Sequence, residues 1–253
     1  MLPRHAISDE HWERVKDFLP GQEGDPGVTA ENNRLFVDGV LWIAKTGAQW
    51  RDLPVRFGKW NSVWRRSLGT QGNLASRFSR VAKSRPGVVN LGFQRHSRPP
   101  ACGGGKKRGG DANLNQQALG RSRGGFSTKL HVVVNGLGLP VDFKLTPGQT
   151  ADITQAEALL QDHDFEMVLG DKGFDSKKLI DYIKSRGAEP VIPPRSNLKE
   201  QREFDQHSYK ERKLVERFIN RIKQFRRVAT RYEKTARNFL AFVQVAAITV
   251  LLQ

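Results

Sequence analysis

The stretch Ser127-Thr128-Lys129-Leu130-His131-Val132-Val133-Val134, closed by Asn135-Gly136, restricts the fold more than any other run in the chain. An aliphatic, β-branched run ended by a turn dipeptide is a strand, and a second strand signal over 139–145 makes it a hairpin. Beyond the hairpin, strand and helix signals alternate. A helix is expected from Thr150 to Leu160, with Ala156, Leu159 and Leu160 facing inward, and a short buried strand from Met167 that stops at Asp171. A helix over Lys177 to Arg186, a short strand over Pro190 to Ile192 and a long basic helix from Tyr209 to Ala229 complete the pattern. Such an order predicts an α/β fold in which a mixed sheet carries helices on its faces.

The N-terminal part reads differently. Ser8 is an N-cap before Trp12, Val15, Phe18 and Leu19 at helical spacing, and a second helix runs from Asn33 to Lys45 until Gly47 stops it. The aromatic and basic segment Trp50 to Trp64 supplies a third helix, with most of its tryptophans expected in the core. From Ser67 to about Gly105 periodicity fades and Arg, Ser and Pro accumulate. Three regions follow: a small helical, DNA-binding type of domain over 1–66, an irregular and poorly ordered segment over 67–105, and the α/β domain over 106–253. The apolar run Phe239 to Leu252 is shorter than the roughly 20 residues a membrane span needs, so it is expected to be a core helix. The N-terminus carries no export signal, and the single cysteine, Cys102, leaves no disulfide framework, which suits a reducing cytoplasm.

Charge narrows the partner. The chain holds 42 Lys plus Arg against 26 Asp plus Glu, a formal +16, and the basic residues gather at 105–129 and 195–237. Such an excess is the footprint of a polyanion, and nucleic acid leads. Cleaving a phosphodiester is well served by two divalent ions held by carboxylates at strand ends and on a neighbouring helix. Asp171 and Glu216 have those placements, although an Asp after a strand also serves as a helix cap or turn former. At 100° per residue Tyr209, Arg212 and Glu216 share one side of the long helix, and Lys223 returns to the face of Glu216 two turns later. Arg212 and Glu216 fit a plain i,i+4 surface pair equally well.

The spacing of Tyr209, Arg212, Glu216 and Lys223 resembles the signature around the catalytic glutamate in DDE transposases of bacterial insertion sequences, in their related fourth and fifth families. The resemblance extends through Gly120-Arg121-Ser122-Arg123-Gly124-Gly125, Thr128-Lys129-Leu130-His131, Asp171-Lys172-Gly173-Phe174-Asp175, Pro193-Pro194-Arg195-Ser196-Asn197 and Phe225-Arg226-Arg227-Val228-Ala229-Thr230-Arg231-Tyr232. Gly47-Ala48-Gln49-Trp50-Arg51-Asp52-Leu53-Pro54 resembles the small helical domain of the same family. The resemblance implies a ribonuclease-H-like fold, dependence on Mg²⁺ or Mn²⁺, and double-stranded DNA as partner, both the element's terminal inverted repeats and the target. It makes Asp171 the second catalytic Asp and Glu216 the third carboxylate, both as metal ligands, with Tyr209, Arg212 and Lys223 positioning DNA. Arg121, Arg123, Lys129, Arg226 and Arg227, basic residues of the matched segments, are further candidates for DNA contact. A homo-oligomer on paired ends, no membrane, and a bacterial cytoplasmic, nucleoid-associated location also follow.

One part of the family pattern is missing. The first catalytic Asp belongs at the end of the first core strand, in an apolar run ending Asp-Ser-Thr, and Val88-Val89-Asn90-Leu91-Gly92-Phe93-Gln94-Arg95-His96-Ser97 stands there instead. Reading the codons one base later permits Glu-Trp-Leu-Ile-Leu-Asp-Ser across Gly87 to Gln94, with the Asp straddling Gly92 and Phe93. Residues 67 to 103 are accordingly expected to be translated out of frame between two compensating shifts. Asn90 and Gln94 are weak, neutral substitutes for the lost carboxylate, while Val88 to Leu91 still have the β-propensity to fill the edge or centre of a sheet, so that part of the fold survives. Asp175 and Asp111 are stand-ins better suited to a turn and a solvated loop. The expected enzyme therefore cleaves and transfers strands poorly, or is a non-enzymatic DNA-binding remnant.

Overall fold

A computed structural model describes residues 5–25, 29–67, 87–97, 117–122, 125–196 and 201–253. The chain divides into two compact units, one formed by 1–80 together with 222–253 and the other by 81–221.

In the first unit, helix α1 spans Asp9–Val15, capped by Ser8, whose side chain accepts from the His11 N–H. Helix α2 spans Asn33–Thr46 and ends on Gly47 in the left-handed region (φ 71°), where glycine carries no steric cost. Helix α3 covers 60–67. The end of the chain adds the short helix α8, Arg226–Ala229, and the core helix α9, Ala236–Leu251. The buried face of α2 (Phe36, Gly39, Ile43, Ala44) and that of α9 (Phe239, Phe242, Val243, Ala246, Ala247) supply the apolar core. Residues 222–253 pack in one compact unit with the N-terminal helices. Among the described residues no helix is long and apolar enough to cross a membrane.

The second unit is a six-stranded mixed sheet. Strands β1 (Val88–Ser97), β2 (Gly120–Ser122), β3 (Gly125–Asn135), β4 (Pro140–Pro147), β5 (Met167–Leu169) and β6 (Glu189–Val191) follow one another along the chain. The order across the sheet is β2-β3-β1-β5-β6, with β4 also on β3. β1 runs antiparallel to β3 and parallel to β5, and β5 runs parallel to β6. Helices α4 (Ile153–Leu160) and α5 (Lys177–Ser185) bury Ala156, Leu159, Leu160, Leu179, Ile180 and Ile183 against one face, where Val89, Leu91, Val133 and Val168 meet them.

Two expectations change. Residues 88–97, assigned from sequence to an irregular segment, form the central strand, because Val88, Val89, Leu91 and Phe93 carry enough β-propensity to fill that position. The expected continuous helix over 209–229 is instead broken into α6 (Gln206–Tyr209), a 3-10 turn (Lys210–Arg212), α7 (Lys213–Lys223) and α8. The break before α8 falls where Phe225 adopts an extended backbone (φ −87°, ψ 105°) while its ring is buried. Residues 68–86 and 98–116, including Asp111 and Cys102, lie outside the described residues, as does Arg123.

The strand over Ser127–Val134 forms as expected, yet its polar residues point inward. Lys129 Nζ lies 3.0 Å from an Asp152 carboxylate oxygen and donates to the Thr150 carbonyl at 2.7 Å. His131 Nε2 sits 2.8 Å from Thr146 Oγ1. Burial first, then the ammonium groups of Lys129 and Lys144, lower the His131 pKa to about 4. Asp152 lies 3.5 Å from His131 Nδ1 but already carries the Lys129 charge, so it does not hold the imidazole protonated. Between the unfolded value near 6.5 and the folded value of about 4, the unfolded chain binds more protons, so stability falls on acidification through that window. At 1.36 kcal/mol per unit the loss reaches roughly 3 kcal/mol. Urea titrations at pH 7 and pH 4.5 are expected to show it, and His131→Gln to flatten it. An equal slope in both proteins would reject this assignment.

Candidate functional site

The sheet register sets the geometry. Asn90 of β1 stands abreast of Leu169, the last residue of β5; Gly92 lies two residues past that pair on β1, and Asp171 two residues past it along the other chain segment. Side chains alternate along a strand, which separates Val89 and Leu91, facing α4 and α5, from Asn90 and Gly92 on the opposite face. Helix α7 covers that second face. A Cβ placed on Gly92 would come within 2.5 Å of Val215 Cγ2, and Val215 adjoins Glu216. Farther along the helix, the Phe218 ring stacks on Phe143 of β4 at 5.9 Å.

Asp171, two residues past the end of β5, has an extended backbone (φ −79°, ψ 175°). One carboxylate oxygen accepts from the Gly173 N–H at 2.8 Å and caps the 3-10 turn Lys172–Phe174, which is the capping role the sequence also allowed. Glu216 is half exposed and pairs with Arg212 at 2.9 Å. The Arg212 guanidinium lies 5.6 Å from the Tyr209 ring, so Tyr209, Arg212 and Glu216 share one side of the helical segment as their spacing predicts. Tyr209 itself is held edge-on by Phe204 at 5.5 Å. Lys223 is exposed, as are Arg121 and Arg226.

Two of the basic residues expected on DNA are placed differently. Lys129 is 5% exposed and spent on Asp152. Arg227 is 7% exposed, pairs with Glu233 at 2.6 Å, donates to the Ala48 carbonyl, and faces the rings of Trp50, Tyr232 and Phe242. Both are structural cations of their units, and a buried, paired cation has no phosphate to meet. Asp175 is likewise committed: it is buried, accepts from the Arg195 N–H at 2.7 Å and pairs with Arg202 at 3.1 Å, so it pins the loop after β6. Among the described residues no three His, Cys, Asp or Glu side chains gather as a metal-binding group.

The features that sequence reasoning missed lie on β1 and α3. Asn90 is fully buried on the α7 face, and neither its amide oxygen nor its nitrogen has a hydrogen-bond partner among the described residues. A buried amide left unpaired costs about 1–3 kcal/mol, so Asn90→Val, abreast of Val134 and Leu169, is expected to stabilise the chain by that order. Denaturant melts would read the gain, and a loss instead would mean that the amide does find a partner in solution. Trp60 and Trp64, expected in the core, are 36% exposed each.

Comparison with known proteins adds the following. The family model described as "Transposase DDE domain" matches residues 98–251. A second, described as "Putative transposase of IS4/5 family", matches residues 7–70. The chain is 37% identical over 133 residues to a Brucella ovis protein named "Putative transposase for insertion sequence element IS6501", covering 51% of this chain and 100% of that one. It is 29% identical over 151 residues to a Burkholderia cepacia protein named "Putative transposase for insertion sequence element IS402", covering 55% of this chain and 68% of the other. An uncharacterised Sinorhizobium fredii protein is 45% identical over 61 residues, 24% of this chain and 49% of its own length.

Proposed function

Because the chain belongs to the transposase DDE-domain family, whose model spans most of its ribonuclease-H-like unit, we propose that it binds the ends of an insertion sequence while cleaving and joining DNA poorly. The observation that carries this reading is Gly92, which has no side chain, standing on β1 two residues past the last β1–β5 pair with Val215 packed against it, while Asp171 lies two residues past the end of β5. A pair of divalent ions needs carboxylates converging at that point, and the central strand offers none.

The residues present do not fit a two-ion centre. Asp171 and Glu216 supply two carboxylates, Asp175 is committed to Arg195 and Arg202, and β1 presents an amide at 90 and no side chain at 92. Had the set been complete, Mg²⁺ or Mn²⁺ would activate water and then a DNA 3′ hydroxyl. Without it, the surviving role is binding. Exposed Arg121, Arg226 and Lys223, with Tyr209 and Arg212 beside Glu216, hold terminal inverted repeats and target duplex. The protein acts in the bacterial cytoplasm, on the nucleoid, with more than one subunit on paired ends.

Out-of-frame translation of residues 67 to 103 accounts for the defect. The two family matches stop at residue 70 and resume at residue 98, on either side of β1. Asn90 and Gly92, an unpaired buried amide and a bare backbone in a central strand, are what a sequence not selected for that strand would leave. The nucleotide sequence over codons 60–110 tests this: a one-base shift should restore an apolar run ending in Asp-Ser.

Binding itself is tested on duplexes carrying the element's ends at several salt concentrations. Affinity should fall steeply with salt, because each neutralised phosphate releases counterions. Arg226→Ala should lower the slope by about one, and salt-insensitive or absent binding would end the proposal.

A further inference from the structure

Helix α3 buries smaller side chains and leaves its tryptophans partly exposed. Its buried positions are Val63 and Ser67, four residues apart, with Val63 set against Gly39 and Phe57, while its two largest apolar side chains, Trp60 and Trp64, face outward. An isolated exposed Leu needs no explanation, but two tryptophans one turn apart on a solvent face form a patch. Their ring centroids are 6.5 Å apart with planes tilted by 44°. The Arg51 guanidinium lies 5.8 Å from the Trp60 ring, and a groove of about 510 Å³ runs beside it, lined by Leu53, Val55, Gly58, Lys59 and Asn61 among others. The exposed charged residues bordering the patch over 51–65 are Arg51, Arg56, Lys59 and Arg65 against Asp52 alone.

We propose that this face of the N-terminal unit stacks unpaired DNA bases on Trp60 and Trp64 while Arg51, Lys59 and Arg65 hold the flanking phosphates. The proposal rests on the DNA-binding reading above and assigns it a substrate form, bases out of the duplex stack. Charge chooses the occupant. A second copy docking by two-fold symmetry would bring this patch against itself and set four cations against four, whereas a polyanion neutralises them. Stacking chooses the form of DNA, because in an intact duplex the base faces are covered by their neighbours and only an unpaired or flipped base offers one to an indole. Indole faces take any base, and a guanidinium beside the ring adds attraction, so the contact is tolerant of sequence.

The test uses the full-length chain, a duplex, and the same duplex extended by an unpaired thymidine tail, with affinities from fluorescence anisotropy. Trp60→Ala/Trp64→Ala should lose at least about tenfold in the affinity for the tailed duplex and leave the blunt duplex within about twofold. Trp60→Phe/Trp64→Phe, which keeps aromatic faces, should retain most of it. Both pairs are exposed, and a thermal melt checks that the fold is intact. Equal affinity of the alanine variant and the unaltered chain for the tailed duplex overturns the proposal, as does a dimer that the alanine variant breaks with that affinity unchanged. If the unaltered chain binds neither duplex, the DNA-binding reading itself fails, and this one with it.

Discussion

Incubated with Mg²⁺ and a plasmid bearing the ends of its element, the unaltered chain is expected to nick at a rate at least roughly 10³-fold below a variant with a carboxylate restored to β1, about 4 kcal/mol of transition-state stabilisation. The restoring variant needs two changes. Gly92→Asp alone drives its Cβ to within 2.5 Å of Val215 Cγ2, a contact that must push α7 and Glu216 aside. Adding Val215→Ala removes both γ carbons. The double variant then places a carboxylate on β1 two residues past its last pair with β5, against the helix position that precedes Glu216. Mn²⁺ binding by calorimetry gives a readout independent of turnover: the double variant should bind at least about tenfold more tightly than the unaltered chain, and Asp171→Asn added to it should cancel the gain. Efficient Mg²⁺-dependent nicking by the unaltered chain, abolished by Asp171→Asn, would show that the site assembles without β1 and would overturn the assignment of a defect.

The second large effect belongs to Arg227. Replacing it by Ala leaves the Glu233 carboxylate buried without its partner, opens the Ala48 carbonyl, and removes a cation from the faces of Trp50, Tyr232 and Phe242. Breaking a buried pair from one side costs about 3–5 kcal/mol, because the remaining charge stays desolvated. The melting temperature should therefore fall by more than about 10 °C. Glu233→Gln should cost much less. Burial already pushes the Glu233 pKa up against the pull of Arg227, so the pocket accepts a neutral group, and Gln keeps an oxygen to accept from the guanidinium. The neighbouring Arg226→Ala, on an exposed side chain, should stay within about 0.5 kcal/mol in stability while weakening DNA binding. A similar melting temperature for Arg226→Ala and Arg227→Ala would refute the clamp.

This clamp also joins two motifs that are far apart in the sequence. Gly47-Ala48-Gln49-Trp50 and Phe225-Arg226-Arg227-Val228 meet in one unit: the Lys45 ammonium lies 3.7 Å from the Phe225 ring centroid, and a Cβ on Gly47 would stand 3.0 Å from Arg226 Cβ. Arg231, fully buried, donates to the Glu233 and Lys234 carbonyls beneath Phe239. Much of the basic character of this motif therefore builds the unit, while Arg226 is exposed.

Local chemistry was enough to determine several things from the sequence alone. The hairpin at 125–147, the caps Ser8 and Gly47, the alternation that makes the fold α/β and the shared side of Tyr209, Arg212 and Glu216 all depend on residues within a few positions of one another. The tertiary structure decided what depends on residues far apart. It turned Lys129 toward Asp152 and Arg227 toward Ala48 and Glu233, while Arg226 stayed in solvent. It also drew residues 88–97 into the centre of the sheet and turned Trp60 and Trp64 outward. Periodicity and capping energies are settled within a turn or two of chain. Whether a cation is desolvated, or an indole covered, depends on which distant segment packs over it, and adjacent arginines in one short helix carry no local signal that tells them apart.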